Sequence, residues 1–235
     1  MNSIKLLLAS TSTIYGGTYL DYLTDAVQKH FENAQNILFI PYARPGGLSH
    51  QAYSEIAEKK FKSLGLNLKG LHSFDNPKKA LMAADGVFTG GGNSFVLLKA
   101  LYDLKLLSVL KSRVMEGMPY MGSSAGSNLA GLTIGTSNDM PIVYPPSFEA
   151  LGAVHFNINP HYLDPISGSK HMGETRETRI KEFHSYNTQA VLGLREGSWL
   201  EVAGNAIWLR GDLSARLFRK ELNPSEIQCG DIIRI

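Results

Sequence analysis

The sequence predicts an α/β protein built on a mostly parallel sheet covered by helices, and two observations carry that prediction. Short apolar runs alternate with longer amphipathic stretches as far as about Leu132, and the runs are apolar along their whole length rather than at every second residue. A strand buried on both faces belongs in a parallel sheet packed between helices.

Taken in order, "IKLLLAS" (Ile4 to Ser10) reads as the first strand and "YLDYLTDAVQKHF" (Tyr19 to Phe31) as a helix by its spacing. "NILFIPYA" (Asn36 to Ala43) is a second strand, ended by Pro45-Gly46-Gly47, and "QAYSEIAEKKFKSLG" is a helix stopped by Gly65. "LNLKGLHSF" gives a third strand, and "NPKKALMAA" a short helix with proline near its start. "GVFTGGG" (Gly86 to Gly92) is a fourth strand running into a glycine turn. Helices fill Ser94 to Glu116, and "PYMGS" is a fifth strand. Beyond Leu132, "PIVYPP", "AVHFNINP", "AVLGLREGSWLEVAGNAIWLRG" and "DIIRI" read as further strands with tight turns, closing the sheet with antiparallel pieces. No repeat, low-complexity tract or linker interrupts the 235 residues, so one domain over 1–235 is the expectation.

Composition narrows the class. Lys+Arg 23 against Asp+Glu 21 leaves a formal charge of +2 with no basic run, which argues against nucleic acid as partner. A single cysteine, Cys229, excludes an intrachain disulfide and argues against a cysteine metal site. The N-terminal apolar run lacks the length and flanks of a secretory signal, and no stretch reaches the roughly 18 apolar residues of a membrane span. The expectation is a soluble cytoplasmic protein with no membrane partner.

Chemistry concentrates at "YMGSSAGSNLAG" (Tyr120 to Gly131). Gly122-Ser123-Ser124-Ala125-Gly126 fits the nucleophile-elbow pattern G-x-S-x-G, in which a sharp strand-to-helix turn holds the central serine out into a cleft. In open parallel sheets ligands bind beyond the carboxyl ends of the strands. Two other loops lie at such ends, Thr89-Gly90-Gly91-Gly92-Asn93 and Pro45-Gly46-Gly47. The amide of Ala125, at a helix N-terminus, can face a developing oxyanion, with a second donor from Gly91 or Gly92. A serine hydroxyl needs a base. Of the histidines 30, 50, 72, 155, 161, 171 and 184, His161 in "NINPHYLD" is favoured, because it follows a strand and a proline turn. His30, on a helix read as solvated, and His72 are assigned structural roles, and His155 is read as a packed strand residue. Asp139, Glu196 and Asp164 are the candidate orienting carboxylates. Asp139 is preferred for its closeness to Ser124 in sequence, although taken by itself an Asx-type turn before Pro141 is the favoured reading of it, as a hairpin residue before Gly197 is of Glu196.

In order along the chain, "FTGGGNSF", "YMGSSAGSNLA", "TSNDMPIV", "INPHY", "GETRETRI" and "LREGSW" resemble the peptidase E family, the α-aspartyl dipeptidases grouped with cyanophycinase among serine peptidases. The likeness runs from the first strand to about Trp199. It implies a three-layer, flavodoxin-like α/β sandwich similar to class I glutamine amidotransferase domains. It further implies Ser124 as nucleophile, His161 as general base, Asp139 or Glu196 as third member, and Gly92 with Ala125 as oxyanion hole. Arg176 would recognise the substrate's aspartate side chain. The implied activity is hydrolysis of Asp-X dipeptides through an acyl-enzyme, without metal or other cofactor, by a monomer or a homodimer. A β-aspartyl or cyanophycin-type bond is the alternative substrate, and a non-enzymatic nucleotide-binding module the remaining one. Ser123 stands where the family elbow usually carries tryptophan, and the expected consequence is a smaller, more polar wall beside the nucleophile.

Overall fold

The computed structural model describes residues 3–165, 168, 170 and 172–235. Its central sheet has seven strands, β1 (Lys5–Ala9), β2 (Ile37–Ile40), β3 (Leu68–Gly70), β4 (Gly86–Thr89), β5 (Tyr120–Ser123), β8 (Ser198–Ala203) and β9 (Ala206–Gly211), in the spatial order β3-β2-β4-β5-β1-β8-β9. The first five are parallel. Strand β8 pairs antiparallel with β1, and β9 antiparallel with β8. The sheet is therefore mixed and mostly parallel, as the apolar runs predict.

Helices cover both faces. Along β1 the side chains alternate, so Leu7 and Ala9 pack on α1 (Thr24–His30) and α2 (His50–Ser63) through Val27, Tyr53, Ala57 and Phe61. Leu6 and Leu8 turn the other way, towards α3 (Pro77–Ala83), α4 (Ser94–Asp103), α5 (Leu107–Met115) and α6 (Ala125–Leu129). The helix ends follow the local sequence. Ser49 accepts the Ala52 N–H at the start of α2, Asn76 accepts the Lys79 N–H ahead of Pro77, and Asn93 accepts from Phe95 and Val96. Gly65, at φ +75°, ends α2 in a left-handed turn that a residue with a Cβ would resist.

The C-terminal third departs from expectation. Only β8 and β9 extend the main sheet. Strands β6 (Asn157–Pro160), β7 (Val191–Leu194), β10 (Ala215–Phe218) and β11 (Ser225–Ile227) form a second sheet in the order β11-β10-β7-β6. Its inner face, with Ile158, Leu192 and Leu194, joins the core of α4–α6. Its outer face, with Val191 and Phe218, is covered by Ile180 and Phe183 of α7 (Arg176–Tyr186). "PIVYPP" is not a strand, since its three prolines have no N–H to donate to a ladder. "DIIRI" contributes only an isolated bridge, Trp208 to Ile232.

Candidate active site

Strand β5 delivers Ser124 to the start of α6 with φ +52° and ψ −112°, a conformation costing about 1–3 kcal/mol for a residue with a side chain. The surroundings hold it there. Ser124 N–H donates to Ala9 O at 3.1 Å, while its carbonyl accepts from Ser127 N–H and Asn128 N–H, both at 2.9 Å. The Ser127 hydroxyl lies 2.6 Å from Ala9 O and 2.8 Å from Gly122 O, tying the turn to β1. The flanking glycines are obligatory by contact: a Cβ on Gly122 would strike the Gly126 backbone, and one on Gly126 would strike Thr89 O. The elbow pattern thus describes a helix pressed onto two strands with nothing between.

His161 follows β6, also at positive φ (+53°). Its backbone is fastened by the Ser10 hydroxyl, which accepts His161 N–H at 2.9 Å and donates to Leu194 O at 2.7 Å. The next residue, Tyr162, donates its N–H to the same carbonyl, and its ring lies where a Cβ on Gly193 would have to be. The imidazole then spans two partners. Nδ1 is 2.5 Å from Glu196 Oε1, and Nε2 is 2.8 Å from Ser124 Oγ. An ionised carboxylate can only accept, so Nδ1 carries the proton and Nε2 is left to accept the serine hydroxyl. The His161 and Glu196 side chains are 37% and 47% exposed, so their pairing adds little stability and serves orientation.

Opposite Ser124 stands the glycine turn after β4. Gly91 comes close enough that a Cβ there would lie 3.0 Å from Ser124 Cβ. Gly92, at φ +144°, has no room for a side chain against Ala43 O. Gly92 N–H and Ala125 N–H have no acceptor among the described residues, which leaves both amides free to meet a negative oxygen.

The preference for Asp139 as the carboxylate beside His161 does not match this geometry. Asp139 Oδ2 accepts Ser94 N–H at 2.7 Å and the Ser137 hydroxyl at 2.8 Å, so it caps α4, while Glu196 occupies the position on the imidazole. Separation in sequence misled because β6 and β7 are parallel neighbours, which brings residue 196 beside residue 161. Asp164 is committed elsewhere, in a two-pronged bond from Arg195 at 2.7 and 2.8 Å. Arg176 opens α7, half-buried and with no ion pair among the described residues. Burial pulls its guanidinium below the ordinary value, Arg179 adds to this, and the nearby Asp139 opposes it.

Arg195 belongs to a larger ion-pair network. It also bonds Glu226 at 2.9 Å, and Arg216 reaches Glu226 at 3.3 Å and Glu177 at 3.0 Å. The hydrogen bond from Arg195 is the main reason the Asp164 carboxyl lies below its usual range. Burial pushes the Glu226 carboxyl up, but bonds from Arg195 and Ser214 outweigh it.

Several expectations are corrected. Ser123 is fully buried, on the same side of β5 as Met121, and forms no wall of the cleft. The segment Pro45-Gly46-Gly47 is exposed, and Ala43 is the residue of that connection that touches the glycine turn, by accepting Asn93 N–H at 2.7 Å. His30 is not solvated: it is buried, with Nε2 3.1 Å from Tyr120 O. His155 is exposed rather than packed, and His72 bonds Ser54 and Gln51 in a short turn after β3. His171 lies outside the described residues. Among those residues, no group of three or more His, Cys, Asp or Glu could hold a metal, and no helix is long and apolar enough to cross a membrane. Ser10 was missed, although it too ends a parallel strand, where "STST" follows the apolar run.

Comparison with known proteins sets this arrangement among relatives. A family model described as "Peptidase family S51" matches residues 6–210. A "Peptidase E" from Streptomyces coelicolor is 48% identical over 227 residues, covering 97% of this chain and 92% of that protein. A "Probable alpha-aspartyl dipeptidase" from Drosophila melanogaster is 45% identical over 226 residues, covering 95% and 93%. The crystal structure of a peptidase from an acI-B1 Actinobacterium superposes with a TM-score of 0.74 at 18% identity, covering 99% and 97%, and bears on the fold alone.

Proposed function

The chain belongs to peptidase family S51, and on that premise we propose that it is a serine dipeptidase cleaving the bond after an N-terminal aspartate. The observation that carries this reading is the relay Ser124–His161–Glu196, at 2.8 and 2.5 Å, with the amides of Gly92 and Ala125 lacking an acceptor among the described residues. The names carried by its relatives supply the substrate class.

In the proposed sequence, Ser124 Oγ attacks the carbonyl carbon of the aspartyl residue as its proton passes to His161 Nε2. The carbonyl oxygen becomes an oxyanion held by Gly92 N–H and Ala125 N–H. Collapse breaks the C–N bond, and the leaving amine takes the proton from Nε2. Water then repeats the attack on the acyl-enzyme with His161 as base, releasing aspartate and restoring the hydroxyl. Glu196 keeps the imidazole in the productive tautomer throughout and stabilises the imidazolium. Arg176 takes the substrate's side-chain carboxylate, for which a guanidinium fork is well matched. Asp139 works beside it, as the cap of α4 and the local countercharge. The reading takes residues 1–235 as one working unit in the cytoplasm, since both sheets contribute to the site.

The test uses wild-type protein. Asp-X dipeptide should be hydrolysed in preference to Asn-X and β-aspartyl-X, and a fluorophosphonate should label Ser124 on peptide mapping. Labelling at another serine, or cleavage of β-aspartyl-X alone, would overturn the reading.

A further inference from the structure

The turn between β4 and α4 carries three glycines in succession, Gly90, Gly91 and Gly92, the residue type least able to fix its own peptide planes. Its amides are nonetheless sorted. Gly90 N–H donates to Ile40 O at 3.1 Å, and Asn93 N–H to Ala43 O at 2.7 Å. Gly91 N–H donates to the phenolic oxygen of Tyr53, 2.9 Å away and buried. Of the four, only Gly92 N–H has no acceptor among the described residues.

Tyr53 lies on α2 and is 2% exposed. Its ring meets Phe39 edge-on at 4.9 Å, and the Arg44 guanidinium sits 4.8 Å above the ring centre. A Cβ on Gly90 would be 2.7 Å from the phenolic oxygen, so the turn is moulded around this side chain. Nothing in the proposed relay requires a tyrosine here. A packed ring alone would be served as well by phenylalanine, which would leave Gly91 N–H buried and unpaired.

We infer that Tyr53 is a positioning residue for the oxyanion hole: its hydroxyl ties down Gly91 N–H and so fixes Gly92 N–H as the donor that faces Ser124. This rests on the proposed role of Ser124. Without the hydroxyl, the buried Gly91 amide gains by turning towards any other acceptor, and the flexible peptide joining it to Gly92 turns with it. The donor would then be misplaced when charge develops, while the binding of uncharged ground-state carbonyl is little affected. Loss of a whole oxyanion donor lowers rates by about a hundredfold to a thousandfold, so misplacement should cost about tenfold to a hundredfold.

The experiment compares wild type, Tyr53→Phe and Ser124→Ala on an Asp-X dipeptide; rates of the first two are expressed per active site titrated by a fluorophosphonate, which removes any contribution from misfolded protein, and that of Ser124→Ala per mole of folded protein. The boronic acid analogue of aspartate serves as tetrahedral-adduct probe. The expected result for Tyr53→Phe is kcat lower by about tenfold to a hundredfold, boronate affinity lower by the same factor, and KM within about twofold of wild type. Unchanged kcat, or a loss confined to KM with unchanged boronate affinity, would overturn the role of Tyr53. An active Ser124→Ala would instead overturn the underlying reading, so the two failures are distinct.

Discussion

The hydroxyl of Ser10 accepts the backbone N–H of His161 at 2.9 Å, joining the end of β1 to a residue 151 positions later. The same hydroxyl donates to Leu194 O, two residues before Glu196. One buried serine therefore holds both segments that carry the imidazole and its carboxylate. Ser10→Ala should lower kcat/KM by about fivefold to a hundredfold, the equivalent of the roughly 1–3 kcal/mol for an unpaired buried amide. Ser10→Thr, which keeps the hydroxyl, should recover part of the loss. Steady-state kinetics on the two variants checks this, and equal activity in both would remove the hydroxyl from the account.

The adjacent serines should behave in opposite ways. Ser124→Ala should abolish hydrolysis and leave the fold intact. Ser123 has a fully buried hydroxyl with no partner among the described residues. Deleting an orphan of this kind removes a desolvation cost, so Ser123→Ala should keep activity and melt at the same temperature as wild type or above it. Activity and thermal melts on both variants decide the matter.

The two carboxylates should separate by kinetic signature. In Glu196→Gln the amide can donate to Nδ1, which leaves the proton on Nε2, where it blocks acceptance from Ser124. The expected fall in kcat is about a hundredfold to ten-thousandfold, the span a positioned base contributes. Asp139→Asn keeps an acceptor for Ser94 N–H and removes the charge beside Arg176, so its effect should fall mainly on KM. A kcat loss of the Glu196→Gln size in Asp139→Asn would return Asp139 to the relay.

Arg176→Met should lower kcat/KM for Asp-X by about thirtyfold to a few thousandfold, from roughly 2–5 kcal/mol for leaving a desolvated carboxylate unpaired. Asn-X, with no charge to strand, should suffer much less. Measuring both substrates in both proteins gives an Asp/Asn ratio, and an unchanged ratio would exclude Arg176 from the specificity pocket.

His30 makes stability depend on pH. Burial, and then the charge of Lys5, lower its pKa from 6.5 to about 3 against a smaller opposing effect of its bond to Tyr120 O. The folded protein therefore binds fewer protons than the unfolded chain between these values, and stability falls as pH drops below 6.5. The slope from this group approaches about 1.36 kcal/mol per pH unit. Urea melts between pH 7 and 5, above the range where the carboxylates titrate, should show this slope in wild type and lose it in His30→Gln.

What the sequence made legible follows from locality. The parallel strands, the elbow at Ser124 and the glycine turn are each written in a few consecutive residues, and each lies where the pattern places it. Glu196 is brought to His161 by the pairing of two strands more than thirty residues apart, a relation that no local pattern encodes. Tyr53 sits at a helix position whose apolar spacing says only that it faces the core. The second sheet was obscured because β10 and β11 are four and three residues long, too short for alternation to register.

The ion-pair network gives the chain a constraint on how it can vary. Asp164 is three residues from His161, Arg195 adjoins Glu196, and Glu177 adjoins Arg176. Replacing one member strands the charge of another, so tolerated substitutions here should arrive as compensated sets rather than singly. A chimera that takes α7 from a relative brings a foreign partner to Arg216, on β10, and inherits a mismatch some forty residues away in sequence. Grafting α7 together with β10 and β11 should yield an active hybrid far more often than grafting the helix alone.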